Sequence, residues 1–117
     1  MKKIISLNLF KEYRLEHSYK NIKAIKKDDS FIFLLDDTKT LINPEKFIRE
    51  NNEFKFELNI KEKNAIYLLK EKNMKLDIEV ESISYRNTDN NILLEYKISS
   101  DDEKFKIEIK IEDDINE

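Results

Sequence analysis

The chain of 117 residues contains no cysteine, no glycine and no tryptophan, and it has a single proline. Without cysteine it can form no disulfide, no thiolate nucleophile and no zinc site with cysteine ligands, which suits a reducing compartment. Without glycine it can form neither a glycine-rich phosphate-binding loop nor a nucleophile elbow. These absences exclude several classes of enzyme before any motif is considered.

Long apolar segments are absent as well. No run approaches the ~18 apolar residues of a membrane helix, and Asn8, Lys11 and Glu12 interrupt the apolar N-terminal segment before it reaches the length of a signal peptide. We therefore expect a cytoplasmic protein with no membrane partner. A chain of this length predicts one domain, at residues 1–112, followed by an acidic solvated tail at 113–117.

The apolar residues that are present recur with a period of two. Because alternate side chains of a strand point to opposite faces, this pattern indicates half-buried antiparallel strands with one charged face. The clearest segments are 54–60, 74–80 and 105–111, and weaker ones are 4–10, 13–19, 21–26, 31–35, 65–70 and 91–99. Eight or nine short strands joined by short turns are typical of a meandering barrel or a sandwich. We predict an all-β, antiparallel up-and-down barrel of about eight strands.

Two local features refine this prediction. In the absence of glycine, asparagine and aspartate must supply the positive φ angles that tight turns need, and Asn52, Asn64, Asn73 and Asn90 are the first expected positions. After residue 80 the apolar phase moves from even to odd positions, which predicts a β-bulge or bend near Glu81.

Residues 43–50 depart from the strand pattern. Asn43 is a capping residue, Pro44 suits the first position of a helix, and Arg49 suits the last turn, so a short helix is predicted near residues 44–50. The alternative is an edge strand made irregular by Pro44.

Candidate catalytic groups are sparse. His17 is the only histidine, and a general base there, beside Tyr13 or Tyr19, needs a nucleophile and an orienting acid that the local sequence does not supply. Asp77, Glu79 and Glu81 have the spacing of a paired-acid site, but they oppose an apolar row and should face water. They are better explained as a charge ladder that pairs with lysines 104, 106 and 110 of a neighbouring strand.

Metal ligands are no better supported. The acidic pairs at 28–29, 36–37 and 101–102 lack the set spacing and the glycine of a calcium loop, so we interpret them as turn residues. The sequence therefore predicts no catalytic residue, no metal ligand and no cofactor.

Charge is distributed unevenly along the chain. Residues 1–27 carry eight basic side chains against two acidic ones, whereas the whole chain has a net charge of −3. Together with Phe10, Tyr13 and Tyr19, this basic segment has the composition of a single-stranded nucleic-acid surface. Pairing with the acidic remainder is the favoured explanation, because a negative chain does not attract nucleic acid at long range.

Some segments are apolar on both faces. One set of side chains must then point out of a barrel and requires cover by the short helix, by a second subunit or by an apolar ligand. The expected outward set is Ile32, Leu34, Ile66, Leu68 and Leu93.

The order of the segments resembles a known family. An aromatic-rich strand at 30–36, a phenylalanine-alternating strand at 54–60, the segment Ile66-Tyr67-Leu68-Leu69, a long bent strand at 74–85 and a closing pair at 92–96 and 105–111 resemble the small bacterial calycin-like proteins of unknown function, the YwiB-like family. The resemblance implies an eight-stranded lipocalin-like barrel and no particular activity. The Gly-x-Trp signature of true lipocalins is missing.

Function is predicted from the interior of such a barrel. A barrel of this size is filled by side chains or holds one small ligand, so the first hypothesis is a non-enzymatic module that binds a small apolar or amphipathic molecule. The expected lining residues are Phe31, Phe33, Phe54, Phe56, Tyr67 and Tyr96. The alternatives are a homodimeric interaction protein and, less favoured, nucleic-acid binding through the basic N-terminal strands.

Overall fold

The computed structural model describes residues 1–100 and 103–114, and every regular element in them is a strand. The ten strands are β1 (Lys2–Lys11), β2 (Arg14–Lys27), β3 (Ser30–Leu35), β4 (Thr38–Ile42), β5 (Lys46–Glu50), β6 (Phe54–Asn59), β7 (Asn64–Leu69), β8 (Met74–Thr88), β9 (Asn91–Ile98) and β10 (Lys104–Asp114). No helix in this part of the chain is long and apolar enough to cross a membrane. Of the acidic tail expected at 113–117, residues 113 and 114 belong to β10, and residues 115–117 lie outside the described residues.

The strands form a closed up-and-down barrel. Each strand pairs antiparallel with the next one along the chain, and β1 pairs with β10 to complete the ring, with Lys3 opposite Asp114. The predicted antiparallel barrel is therefore confirmed, with ten strands in place of about eight. Since the diameter of a barrel grows with its strand number, ten strands enclose more interior than eight.

The prediction of a helix near residues 44–50 is wrong. The side-chain Oδ1 of Asn43 accepts hydrogen bonds from the backbone N–H groups of Glu45 and Lys46, both at 2.8 Å. These bonds close a tight turn at Pro44 instead of capping a helix, and the chain returns as β5 alongside β4. The alternative interpretation is correct in that residues 46–50 form a strand, but this strand is paired on both sides, with β4 and β6, and is not an edge.

Two long strands contain irregularities. β2 joins two segments that the sequence pattern separates, and the break between them is a bulge at Asn21, where φ is 58° and the register with β1 shifts nearby. In β8 the register with β9 shifts between Val80 and Ser82. This shift confirms the bulge predicted near Glu81, after which the odd-numbered apolar residues face inward.

Positive φ angles occur in the described residues without any glycine. Of the four expected asparagines only Asn73 adopts one, at 47°. The other positions are Glu12, Tyr13, Asn21, Asp28, Asp36 and Lys63. At Asn51 the side chain instead accepts hydrogen bonds from the N–H groups of Glu53 and Phe54, which stabilises the turn without a positive φ at Asn52.

The interior has two halves of different character. We call the packed half the region around Ile5, Phe31, Ile42, Ile92 and Ile109, whose side chains are at most 1% exposed. We call the open half the region around Arg49, Phe54, Phe56, Tyr67 and Tyr96, whose side chains are only partly buried. The strands β1, β5 and β9 end in the open half, and β2, β6 and β10 begin there.

Candidate functional site

The open half contains a cavity of about 440 Å³. Antiparallel strands bring the ends of β1, β5 and β9 and the beginnings of β2, β6 and β10 to this end of the barrel, and side chains of these strands surround the space. The lining residues are Leu9, Phe10, Lys11, Glu16, His17, Phe47, Arg49, Phe54, Phe56, Tyr67, Ile78, Tyr96, Ile98, Phe105, Lys106 and Ile107. Its volume lies in the range of small-molecule sites, roughly 300–1,000 Å³.

Aromatic rings form most of the cavity wall. The Phe54 and Tyr67 rings stack with centroids 5.7 Å apart, Phe56 stacks on Tyr96 at 6.2 Å, and Tyr96 stacks on Phe105 at 5.0 Å. Ring contacts of this kind add about 0.5–1.5 kcal/mol each beyond the area that they bury. The wall is thus held in shape by contacts among its own members.

The structure divides the six predicted lining residues between the two halves of the interior. Phe54, Phe56, Tyr67 and Tyr96 line the cavity. Phe31 and Phe33 point inward as well, but they are 1% and 3% exposed and belong to the packed core. As contacts of a ligand, the four cavity residues remain predictions.

The sequence pattern missed Arg49, which is the most unusual residue of the cavity. It lies on β5 between Thr40 of β4 and Phe56 of β6 and points inward with them. Its Nε is buried and has no hydrogen-bond partner. Among residues 1–100 and 103–114, no carboxylate forms an ion pair with its guanidinium group. Alternation with Phe47, an inward residue two positions earlier, is the signal that could have found it once 46–50 is taken as a strand.

Other polar groups point into the barrel near Arg49. The hydroxyl Oγ1 of Thr40, directly across the strand pair, is also buried without a hydrogen-bond partner. Burial raises the pKa of Tyr96 well above its ordinary value, and the positive charge of Arg49 partly opposes that rise. The phenol of Tyr96 is therefore neutral at physiological pH and retains a proton to donate.

Charged residues surround the mouth of the cavity. Lys11 Nζ lies 3.5 Å from Glu103 Oε1, and Lys106 Nζ lies 3.3 Å from Glu108 Oε2. His17 is exposed at the mouth, with its ring centroid 6.2 Å from that of Tyr19. This position agrees with the interpretation of His17 as a residue at the edge of the core.

The acidic residues considered for catalysis lie apart from the cavity. Asp77, Glu79 and Glu81 are exposed on the outside of β8. Glu81 Oε2 pairs with Lys97 Nζ of β9 at 2.9 Å, so β9 supplies this partner and β10, where we expected it, does not. In the described part of the chain, no group of three or more acidic or histidine side chains is placed to hold a metal ion.

The acidic pairs are turn residues where the structure describes them. Asp28 and Asp36 occupy positive-φ positions of the β2–β3 and β3–β4 turns. The third pair, 101–102, lies outside the described residues.

Two aromatic residues of the basic segment, Phe10 and Tyr13, have a lysine beside their rings. The Nζ of Lys106 lies 4.9 Å from the centroid of the Phe10 ring, and the Nζ of Lys104 lies 5.2 Å from that of Tyr13. Lys104 also donates a hydrogen bond to the Tyr13 hydroxyl at 2.8 Å. Both rings therefore interact with cations of the same chain, which leaves less of their faces for stacking with bases.

The outer face of β3 to β7 carries an apolar row. Strand register aligns Ile32, Leu41, Ile48 and Ile66, with Glu57 between the last two. The five residues expected to point outward do so, and Leu34 is the most exposed of them at 61%. The described residues include no helix, so the short helix that we considered as a cover for this face is not there.

Compared with protein-family models, with curated proteins and with solved structures, the chain shows no match.

Proposed function

We propose that the chain is a non-enzymatic binding protein for a small amphipathic molecule, which occupies the open half of the barrel. The observation that carries this proposal is the contrast between the filled interior around Ile5 and Ile92 and the cavity beside Phe56 and Tyr96. An interior without a ligand role would gain stability by filling such a space with larger side chains.

The chemistry of the wall supports an apolar body for the ligand. Stacked rings offer flat apolar surfaces, while Arg49, Tyr67 and Tyr96 offer a few polar groups that can fix its orientation. We take membership of a calycin-like family and a cytoplasmic location as parts of the same proposal.

Binding of a neutral, environment-sensitive dye such as Nile red tests this function. We expect saturable fluorescence enhancement at one site per chain, and native mass spectrometry of the purified protein should detect small molecules that remain bound. Tyr67→Ala should alter the affinity severalfold because Tyr67 lines the cavity, and Tyr13→Ala should not, because Tyr13 is 76% exposed outside it. Absence of dye uptake and of any retained molecule would contradict the proposal.

A homodimer is the second candidate, and the outer apolar row favours it. Lysines 39, 55 and 75 flank parts of this face, so a partner would contact aliphatic stems as well as Ile48 and Ile66. Light scattering at tens of micromolar chain should then give twice the monomer mass, reduced to the monomer by Ile48→Lys. Leu15→Lys, at an exposed position elsewhere, serves as the control.

A further inference from the structure

We infer that the ligand of the open cavity is an anion, and that its single negative group binds the guanidinium of Arg49. This inference rests on the proposed function and adds to it the charge of the ligand and the residue that recognises it. The chemical class is an apolar or aromatic body that carries one carboxylate, sulfonate or phosphate group.

The first argument is the incomplete bonding of Arg49. A guanidinium has five N–H donors in a planar fork, and proteins rarely bury such a group without acceptors. Here Nε is buried and has no acceptor, although Thr40 and Phe56 hold the side chain inside the barrel. A planar anion in the cavity provides the two oxygens that fit this fork.

The second argument is the charge of the lining. Lys11, Arg49 and Lys106 line the cavity together with one carboxylate, that of Glu16, although the whole chain is negative. Glu16 is exposed near the mouth on β2 and forms no ion pair with Arg49 in the described structure. Lys11 and Lys106 are paired with Glu103 and Glu108, so the guanidinium of Arg49 is left as the positive charge inside the cavity, and it favours anions over cations.

The third argument is a neutral donor in the wall. The phenol of Tyr96, which lines the cavity, keeps its proton and can donate it to an oxygen of the same anion. The rings of Phe54, Phe56 and Tyr67 leave the body of the ligand apolar contacts only. One charged end and one apolar body complement the two kinds of surface that the cavity offers.

Two probe pairs test the inference by isothermal titration calorimetry. Decanoate and decan-1-ol share an alkyl chain, and 2-naphthoate and 2-naphthol share a ring system, so each pair differs mainly in charge. For at least one pair we expect the anion to bind at least tenfold more tightly than its neutral partner. Decylammonium should bind more weakly than decan-1-ol.

Variants assign the preference to Arg49. Arg49→Met should weaken the preferred anion at least tenfold and leave the neutral partner unchanged, which removes the difference within the pair. Arg86→Met is the matched control, because Arg86 is exposed on the outer face beside Glu95 and does not line the cavity. It should leave both affinities unchanged.

The outcomes separate this inference from the proposed function. Equal affinities for charged and neutral probes, or an unaltered preference in Arg49→Met, would overturn the anion inference and leave a cavity for neutral ligands. If none of the four probes bound at millimolar concentration, both proposals would be overturned. Circular dichroism of both variants should retain the strand spectrum, which distinguishes lost binding from lost folding.

Discussion

The packed half and the open half of the barrel are built from the same strands but by different rules. Around Ile5, Ile42 and Ile109 most inward positions are aliphatic or aromatic and the side chains are almost fully buried. Towards the other end of the barrel, inward positions of β2, β5 and β9 hold His17, Arg49 and Tyr96, and the interior opens into a cavity. The alternation of faces is the same in both halves, so the difference lies in which residues occupy the inward positions.

This contrast places apolar packing in one half of the barrel and polar inward groups in the other. Apolar packing at one end provides the free energy that holds the ring closed, and the other end can therefore retain polar groups that destabilise it. The following experiments change each half in turn, in order of decreasing expected effect.

Truncation of a ring should be far more harmful in the packed half. Phe31→Ala should lower the free energy of unfolding by about 3–5 kcal/mol, because Phe31 is 1% exposed and its removal leaves a void. Phe56→Ala should cost about 1–2 kcal/mol, since its ring already borders open space. Urea denaturation measures both values, and equal losses would mean that the two halves do not differ in packing.

Alkaline pH should weaken the protein partly through Tyr96. Burial raises the folded-state pKa of this phenol above its unfolded value near 10, so its contribution is complete below about pH 10 and falls as pH rises further. The free energy of unfolding should drop by up to about 1.4 kcal/mol per pH unit from this group. Tyr96→Phe should reduce that slope in urea titrations at pH 9 to 11.

Two other tyrosines help to interpret the pH dependence measured for Tyr96→Phe. Tyr85 should keep part of the slope in Tyr96→Phe, because burial raises its pKa as well. Tyr13→Phe, at a ring that is 76% exposed, is the control for the loss of a tyrosine hydroxyl outside the barrel. An unchanged slope in Tyr96→Phe would indicate that the ring reaches solvent in the folded state.

Removal of the guanidinium of Arg49 should stabilise the protein in the absence of a ligand. Arg49→Met keeps the length of the side chain and removes a buried donor without a partner, so we expect a gain on the order of 1 kcal/mol in thermal or urea unfolding. The Arg86→Met control should change stability by less than about 0.5 kcal/mol. A clear loss of stability in Arg49→Met would mean that the guanidinium stabilises the folded protein even without a ligand.

The smallest effect concerns an ion pair at the rim of the open half. Lys70 Nζ donates to Glu50 Oε2 at 2.8 Å, and this hydrogen bond is the main cause that lowers the pKa of Glu50. A lowered carboxyl pKa adds stability above the unfolded value, and the contribution disappears as pH falls through the folded value. Because both side chains are solvated, Lys70→Met should cost only a few tenths of a kcal/mol.

Salt and pH serve as checks on this pair. The difference between Lys70→Met and the wild type should shrink in 1 M salt and below about pH 4. Lys61→Met removes the ion pair between Lys61 and Glu45, which is more exposed than the pair between Lys70 and Glu50. It should have no measurable effect on stability. A difference that persists in high salt would indicate that Lys70 acts through packing of its aliphatic stem.

Much of the fold could be predicted because a strand leaves a local trace in the sequence. Segments such as 54–60 and 105–111 alternate apolar and charged residues, and the phase change after Val80 correctly predicts the position of the β8 bulge. The inward direction of Phe54, Phe56, Tyr67 and Tyr96 follows from the same period of two. Closure by β1 and β10 is a long-range pairing, and no local pattern encodes it.

The sequence pattern does not reveal strands β4 and β5 or the inward position of Arg49, and the reasons are physical. β4 points Thr38 and Thr40 inward, so its buried face does not contrast with its polar face. Before β5, Asn43 and Pro44 carry the signals of a helix start although they form a turn. Arg49 then has the sequence position of an exposed cation at a helix end, because sequence patterns place charged residues in solvent, whereas the structure places this residue on the inner face of the barrel.

Because β1 pairs with β10, the barrel can close only after the last strand has been synthesised. Until β10 has left the ribosome, β1 and β9 are unpaired edges of an open sheet whose apolar face is accessible to other chains. Leu9 of β1 and Phe105 of β10 both line the cavity, so its wall is complete only when β10 has paired with β1. Closing the ring therefore removes the unpaired edges and completes the cavity in one event, and we expect a chain truncated before β10 to aggregate.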